Sequence, residues 1–181
     1  MGGDDDAEQR LLAALVEELM RKSGLCWVRL PGGDRDHAVW HIWHEGAAYL
    51  VSGGEEQPLP GIEDAGTATV IARTKDSRQR MLAWRADVRT LGPDDPEWDT
   101  VVRALVAARL NLRDLHEAAD RWARECVVTR LAPTGEVAES PDSLPDGDLA
   151  APPVATPATT RRGLPRVLHR RQTRRPDLRT H

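Results

Sequence analysis

The run His37-Ala-Val-Trp-His-Ile-Trp-His44 is rich in aromatic and β-branched residues, contains neither glycine nor proline, and stops at Glu45-Gly46. It predicts a strand, with Glu45-Gly46 as a hairpin turn and Ala47-Ala-Tyr-Leu-Val-Ser52 as the returning strand. Alternation puts His37, Val39, His41 and Trp43 on one face and Ala38, Trp40, Ile42 and His44 on the other. His41 and His44 then point apart, and His37 and His41 lie about 13 Å from each other along the strand. That spacing makes a metal site unexpected, and no HxH, HExxH or paired Cys/His set occurs elsewhere.

Upstream of this hairpin, Leu25–Leu30 reads as a strand closed by the turn Pro31-Gly32-Gly33-Asp34. Before it, Leu11, Leu12, Leu15, Val16 and Leu19 recur at helical spacing, so Ala7–Lys22 is predicted as a helix stopped by Ser23-Gly24. Asp4–Asp6 put negative charge at the end of the helix dipole that favours it. Downstream, a Gly- and Pro-bearing loop spans Gly53–Gly61, then the β-branched Thr67–Thr74 and the alternating Arg80–Leu91 predict two further strands. The period then changes. Asp95-Pro96 reads as a helix start, and Trp98, Val101, Val102, Leu105 and Arg109 share a face of the helix that follows. Asp114 with Glu117 resembles a capping box for a second helix, with Leu115, Ala118, Ala119 and Trp122 as its buried stripe. Cys126–Leu131 is a last short strand ended by Pro133.

The order helix, five strands, two helices, strand, with hairpin spacing, predicts an α+β fold on a small antiparallel barrel. Residues 1–24 form the acidic start and first helix, 25–133 the barrel domain, and 134–181 a disordered tail. That tail changes sign along its length. Thr134–Leu149 holds five acids and no base, whereas Arg161–His181 holds eight arginines and one aspartate. It has too little apolar surface to offset its ordering entropy. The net charge of −4 thus divides into +7 on the last 21 residues and −11 on the rest. Weak binding of nucleic acid is expected of the tail alone, because the barrel domain would repel it.

Cys26 and Cys126 are the only cysteines and are read as two buried free thiols, each at the start of a strand. No apolar run approaches the ~20 residues of a membrane span, and Met1–Asp6 lacks a signal-peptide core. A cytoplasmic protein is the expectation. No serine has a GxSxG context, so a hydrolytic nucleophile is not indicated. The dominance of arginine over lysine, with abundant Ala, Gly and Pro, suggests a high-GC bacterial genome.

From Leu25 to Pro133 the chain resembles the split-barrel flavin-binding family typified by pyridoxamine 5′-phosphate oxidase, and looks closest to its small actinobacterial members. The resemblance is carried by His37–His44, by Glu45–Ser52, by Gly53-Gly-Glu-Glu-Gln57, by Ala68-Thr-Val-Ile-Ala-Arg-Thr-Lys75 and by Val127-Val-Thr-Arg-Leu-Ala-Pro133. It implies an antiparallel split barrel, a homodimer, and an FMN or deazaflavin held at the dimer interface. His41 and Trp43 would stack on or hydrogen-bond the ring. Ser52 falls where the family often has a hydroxyl near the phosphate, and Gln57 lies in the loop after it. That loop usually supplies Arg or Lys; here it carries Glu55-Glu56, which repel a phosphate by on the order of 1 kcal/mol each. Arg73, Lys75 and the Gly53-Gly54 backbone are candidate substitutes. Two functions follow. One is a flavin-binding oxidoreductase acting on a small substrate; the other is a catalytically inactive split-barrel dimer that binds a ligand or partner.

Overall fold

The computed structural model describes residues 3–73, 80–110, 112, 114 and 117–139. Their order is α1 (Gly3–Lys22), β1 (Leu25–Arg29), β2 (His37–Trp40), β3 (Ile42–His44), β4 (Ala47–Ser52), β5 (Thr67–Arg73), β6 (Arg80–Leu91), α2 (Trp98–Ala108), α3 (Ala118–Glu125) and β7 (Val127–Glu139). The strands form one antiparallel sheet in the order β2-β1-β5-β6-β7-β4-β3. Its two edge strands, β2 and β3, are separated only by His41. The chain itself therefore joins the two edges and closes the sheet into a split barrel, the fold that the sequence led us to expect.

The single strand predicted from His37 to His44 is thus two. β2 pairs with β1 (Cys26 with Val39) and β3 pairs with β4 (Trp43 with Ala48). One straight strand cannot serve both edges of the sheet, so the ladder stops for one residue. The face alternation survives the break. Val39 and Trp43 belong to one apolar cluster, Trp40 and Ile42 to the other. The turn into β4 has positive φ at both Glu45 (43°) and Gly46 (76°), the handedness that a two-residue hairpin requires.

The first cluster takes Val28, Val39, Leu50, Val70, Trp84 and Leu131, one from each of six strands, and so fills the barrel; Val16 and Met20 of α1 close it. The second lies outside, where Tyr49, Val51, Leu91 and Val128 are covered by Trp98, Val101, Val102 and Leu105 of α2 and Trp122 of α3. Each such side chain stabilises by roughly 1.5–3 kcal/mol on burial.

Three predicted boundaries move. α2 begins at Trp98, because Asp95 is used in a preceding turn: its Oδ1 accepts the Glu97 N–H (3.0 Å) and its carbonyl accepts that of Trp98 (2.9 Å). α3 begins at Ala118 without a capping box. Asp114 has φ of 47°, and its backbone carbonyl accepts the Glu117 N–H (2.9 Å); Leu115 lies outside the described residues. β7 runs past Pro133 to Glu139. Pro133 stands opposite Ala86 at a register shift, beyond Leu131, the last β7 residue paired with β4. A locally unflanked strand edge at a bulge tolerates a residue without an N–H. Glu139 then meets Arg29 of β1 (2.9 Å), which also holds Asp36 (2.6 Å). The disorder expected of the tail concerns, beyond Glu139, residues outside the described ones.

Candidate functional site

A cleft of about 430 Å³ opens where the barrel is split. Three chain segments line it: the end of α1 with Ser23-Gly24, the bend from Trp40 to Trp43, and Ala108-Arg109-Leu110 at the end of α2. The bend supplies two indoles and an imidazole within four residues. Trp43 reaches into the barrel and packs edge-on to Trp84, with ring centroids 6.4 Å apart. Trp40 faces the second cluster, beneath the guanidinium of Arg109, 5.1 Å from its ring centroid.

His41 is only 7% exposed. Its Nε2 lies 3.1 Å from the carbonyl oxygen of Met20, which only accepts, so the proton sits on Nε2 and Nδ1 carries a lone pair. Burial holds the imidazole below its ordinary pKa, against the opposite pull of the Met20 carbonyl. Nδ1 of His41 and Nε1 of Trp40 and Trp43 are buried without a hydrogen-bond partner among the described residues. Orphaned buried polar atoms each cost about 1–3 kcal/mol and are few in native proteins, and here three fall within four residues.

Glu56 and Arg109 form the second feature. The Glu56 side chain is 5% exposed; its Oε2 accepts from Arg109 Nε (3.0 Å) and its Oε1 from Trp122 Nε1 (3.1 Å). The carboxylate expected to repel a ligand is instead turned inward and neutralised, while Glu55 is exposed. Sequence reading missed both roles. Arg109 carried a signal, as a charge at the end of the apolar stripe of α2. Glu56 carried none, because its partners are 53 and 66 residues away.

The other predicted positions divide. His41 and Trp43 meet in the cleft. Ser52 is buried at the end of β4, opposite Val127. The Gly53 N–H donates to the carbonyl of Gln57 (3.1 Å). Gly54, at φ +55°, lies so close to α3 that a Cβ there would sit 3.0 Å from Cys126 Sγ and 3.1 Å from the Glu125 carbonyl. Gln57 is committed to the split: its Oε1 accepts the Trp40 N–H (2.6 Å), and its Nε2 donates to the carbonyls of Trp40 (2.9 Å) and Val51 (3.1 Å). Arg73 ends β5, two residues past Ile71, the partner of Trp27, and so at the end of the sheet that holds Leu25 and its partner Trp40. Its side chain and all of Lys75 lie outside the described residues.

The thiols are not alike. Cys26 is buried in the barrel and pushed up to about 12 by desolvation. Cys126, expected buried at the start of a strand, is half-buried in the residue before β7; burial raises its pKa, as do Glu56 and Glu125. Neither is an activated nucleophile. Among the described residues no three His, Cys, Asp or Glu gather as metal ligands would, and no helix is long and apolar enough to cross a membrane.

No family model and no curated protein sequence matches the chain. Among solved structures it is similar to a Listeria innocua protein provisionally assigned as a pyridoxamine 5′-phosphate oxidase (15% identity, 71% of this chain, 99% of that one, TM-score 0.48). It is also similar to the heme storage protein HutZ of Vibrio cholerae (11% identity, 68% and 91%, TM-score 0.45). A third is an F420 reductase (18% identity, 65% and 92%, TM-score 0.42).

Proposed function

We propose that this chain binds a flavin-type cofactor, FMN or a deazaflavin, in the cleft at the His41 bend and uses it in oxidoreduction of a small substrate. The observation that carries the reading is the bend itself. Trp40, His41 and Trp43 border one cleft and leave three buried ring nitrogens without partners among the described residues. A planar heteroaromatic ring bearing donors and acceptors along its edge is the ligand class such a wall suits. The volume of about 430 Å³ lies within the range of small-ligand sites, roughly 300–1,000 Å³. A flavin supplies the hydride and electron chemistry when bound. The protein's part is to hold the ring against the Trp40–Trp43 bend and keep water from its face, with His41 Nδ1 as the acceptor nearest the split. Arg73 and Lys75 are proposed as contacts for the anionic end, with Ser52.

A homodimer belongs to the same proposal. Leu110 on the cleft rim is 79% exposed and Leu25, next to the cleft residue Gly24, is 50% exposed. A second copy covering them would seal the cleft.

The second reading is a split-barrel binding module without catalysis. It is favoured by the Gly53 N–H and the Gln57 side chain, both spent within the protein. Titration of purified protein with FMN and with F420, followed by flavin fluorescence, tests the first reading, and light scattering tests the dimer. Binding of either ring with turnover of a reductant supports oxidoreduction. Binding without turnover supports the module. Binding of neither overturns the flavin reading.

A further inference from the structure

We infer that Arg109 is an anion contact of the cleft, so that the site prefers a phosphate-bearing ligand over its neutral counterpart. This rests on the flavin reading only for the probe used first. Arg109 closes α2, its side chain is about one-third exposed, and it lines the cleft beside the Trp40 ring. Two of its five N–H donors are used: Nε on Glu56 and one on Nη1, which reaches the Leu110 carbonyl (3.3 Å). The other three have no acceptor among the described residues. The guanidinium is therefore held from behind, through Nε, with no acceptor for the outer part of its fork among the described residues, and the Trp40 ring fixes its plane by a cation–π contact.

Two comparisons single it out. Arg21 also lines the cleft, but it is 63% exposed and, among the described residues, tied only to Glu17 one turn back on α1 (2.8 Å). An anion that used it would have to order a long, mobile side chain; Arg109 is already ordered. Glu56 is sealed behind Arg109, so the ligand meets the cation before the carboxylate. Electrostatically the pair has a positive outer end and a buried negative one.

FMN and riboflavin differ only in the phosphate. Wild type should bind FMN at least about tenfold tighter than riboflavin, consistent with a charge-assisted hydrogen bond. Arg109→Gln should lower FMN affinity about tenfold and leave riboflavin affinity within about twofold. Because that variant leaves Glu56 buried without its cation, the double variant Glu56→Gln/Arg109→Gln is measured beside it; the amide oxygen introduced at position 56 still accepts from Trp122 Nε1. The double variant should show the same loss of FMN preference with a native thermal transition. An unchanged FMN-to-riboflavin ratio in both variants overturns the inference and leaves the flavin reading standing. If wild type binds neither flavin, that reading fails, and inorganic pyrophosphate followed by tryptophan fluorescence decides the inference alone. Quenching that disappears with Arg109→Gln supports it. Quenching that persists, or none in wild type, overturns it.

Discussion

His41 Nε2 donates to the backbone carbonyl of Met20 at 3.1 Å, so the residue at which the sheet splits also caps the end of the first helix. Met20 is among the last four residues of α1, whose carbonyls lack a partner inside the helix. One side chain thus ties the break between β2 and β3 to the helix that closes the barrel. His41→Ala should destabilise the fold by about 2–4 kcal/mol, through the lost bond and the cavity left among buried residues. Urea unfolding at pH 7.5 measures this directly.

The same contact predicts a pH dependence. Burial depresses the His41 pKa in the folded state, so between the folded and unfolded values the unfolded chain binds more protons. Stability is full above the ordinary histidine pKa and falls as pH drops through the depressed one, with a slope of at most about 1.4 kcal/mol per pH unit. Wild type and His41→Gln should therefore differ in the slope of unfolding free energy below about pH 6.5. Parallel profiles would show that His41 does not control it.

Gln57 stands in for the missing ladder at the split. It serves both backbone groups of Trp40 and the carbonyl of Val51. Gln57→Ala orphans three backbone groups and should cost about 2–4 kcal/mol by urea unfolding. Gln57→Glu keeps the acceptor for Trp40 N–H but loses both donors, and should recover less than half of that loss. Glu55→Gln, at an exposed position of the same loop, should change stability by less than about 0.5 kcal/mol.

The periodicity of Leu12, Val16 and Leu19, the alternation of β6 and the apolar stripe of α2 made the elements legible, because each is a local pattern. The break at His41 was not, since the alternation of Val39, Trp40, Ile42 and Trp43 runs through it unchanged. Only the pairing of β2 and β3 with different edges marks it, and pairing is non-local. The cleft shows the same division. His41 and Trp43 stand out by residue type in one segment, but Arg109 gains its place from Glu56 and Trp40, 53 and 69 residues earlier in the chain. Gln57 looked like a loop residue near a ligand because nothing in its own segment shows that Trp40 needs a partner.

Gly54 and Gly135 both have positive φ, at +55° and +87°, but only Gly54 is crowded. An added Cβ at Gly54 meets Cys126 Sγ and the Glu125 carbonyl; at Gly135 it meets nothing within 4 Å. Gly135→Ala should cost only the conformational strain, about 1 kcal/mol, and Gly54→Ala about 2–4 kcal/mol. Adding Cys126→Ala should recover part of the Gly54→Ala loss by removing the sulfur, while the Glu125 carbonyl remains in the way. Equal effects of the two glycine substitutions would mean that the loop moves freely off α3.

Two truncations separate the end of the fold from the tail. A chain ending at Pro133 loses the last six residues of β7, including the pairings of Val137 with Trp84 and Glu139 with Ala83. It also loses Glu139 from the Arg29 ion pair, leaving that half-buried guanidinium with Asp36 as its remaining acidic partner among the described residues. It should be less stable than the full chain by about 2–3 kcal/mol. A chain ending at Glu139 keeps every described contact and should unfold like the full chain. If Arg161–His181 binds nucleic acid, both truncated chains should lose that binding. In the full chain it should weaken steeply with salt, because it depends on neutralising phosphates and releasing their counterions. Fluorescence anisotropy with a labelled single-stranded oligonucleotide at two salt concentrations measures this beside the urea curves. Binding retained by the chain ending at Glu139 would put a nucleic-acid surface on the barrel domain, against its net negative charge. Equal stability of the two truncated chains would mean that the end of β7 is held only weakly against β6.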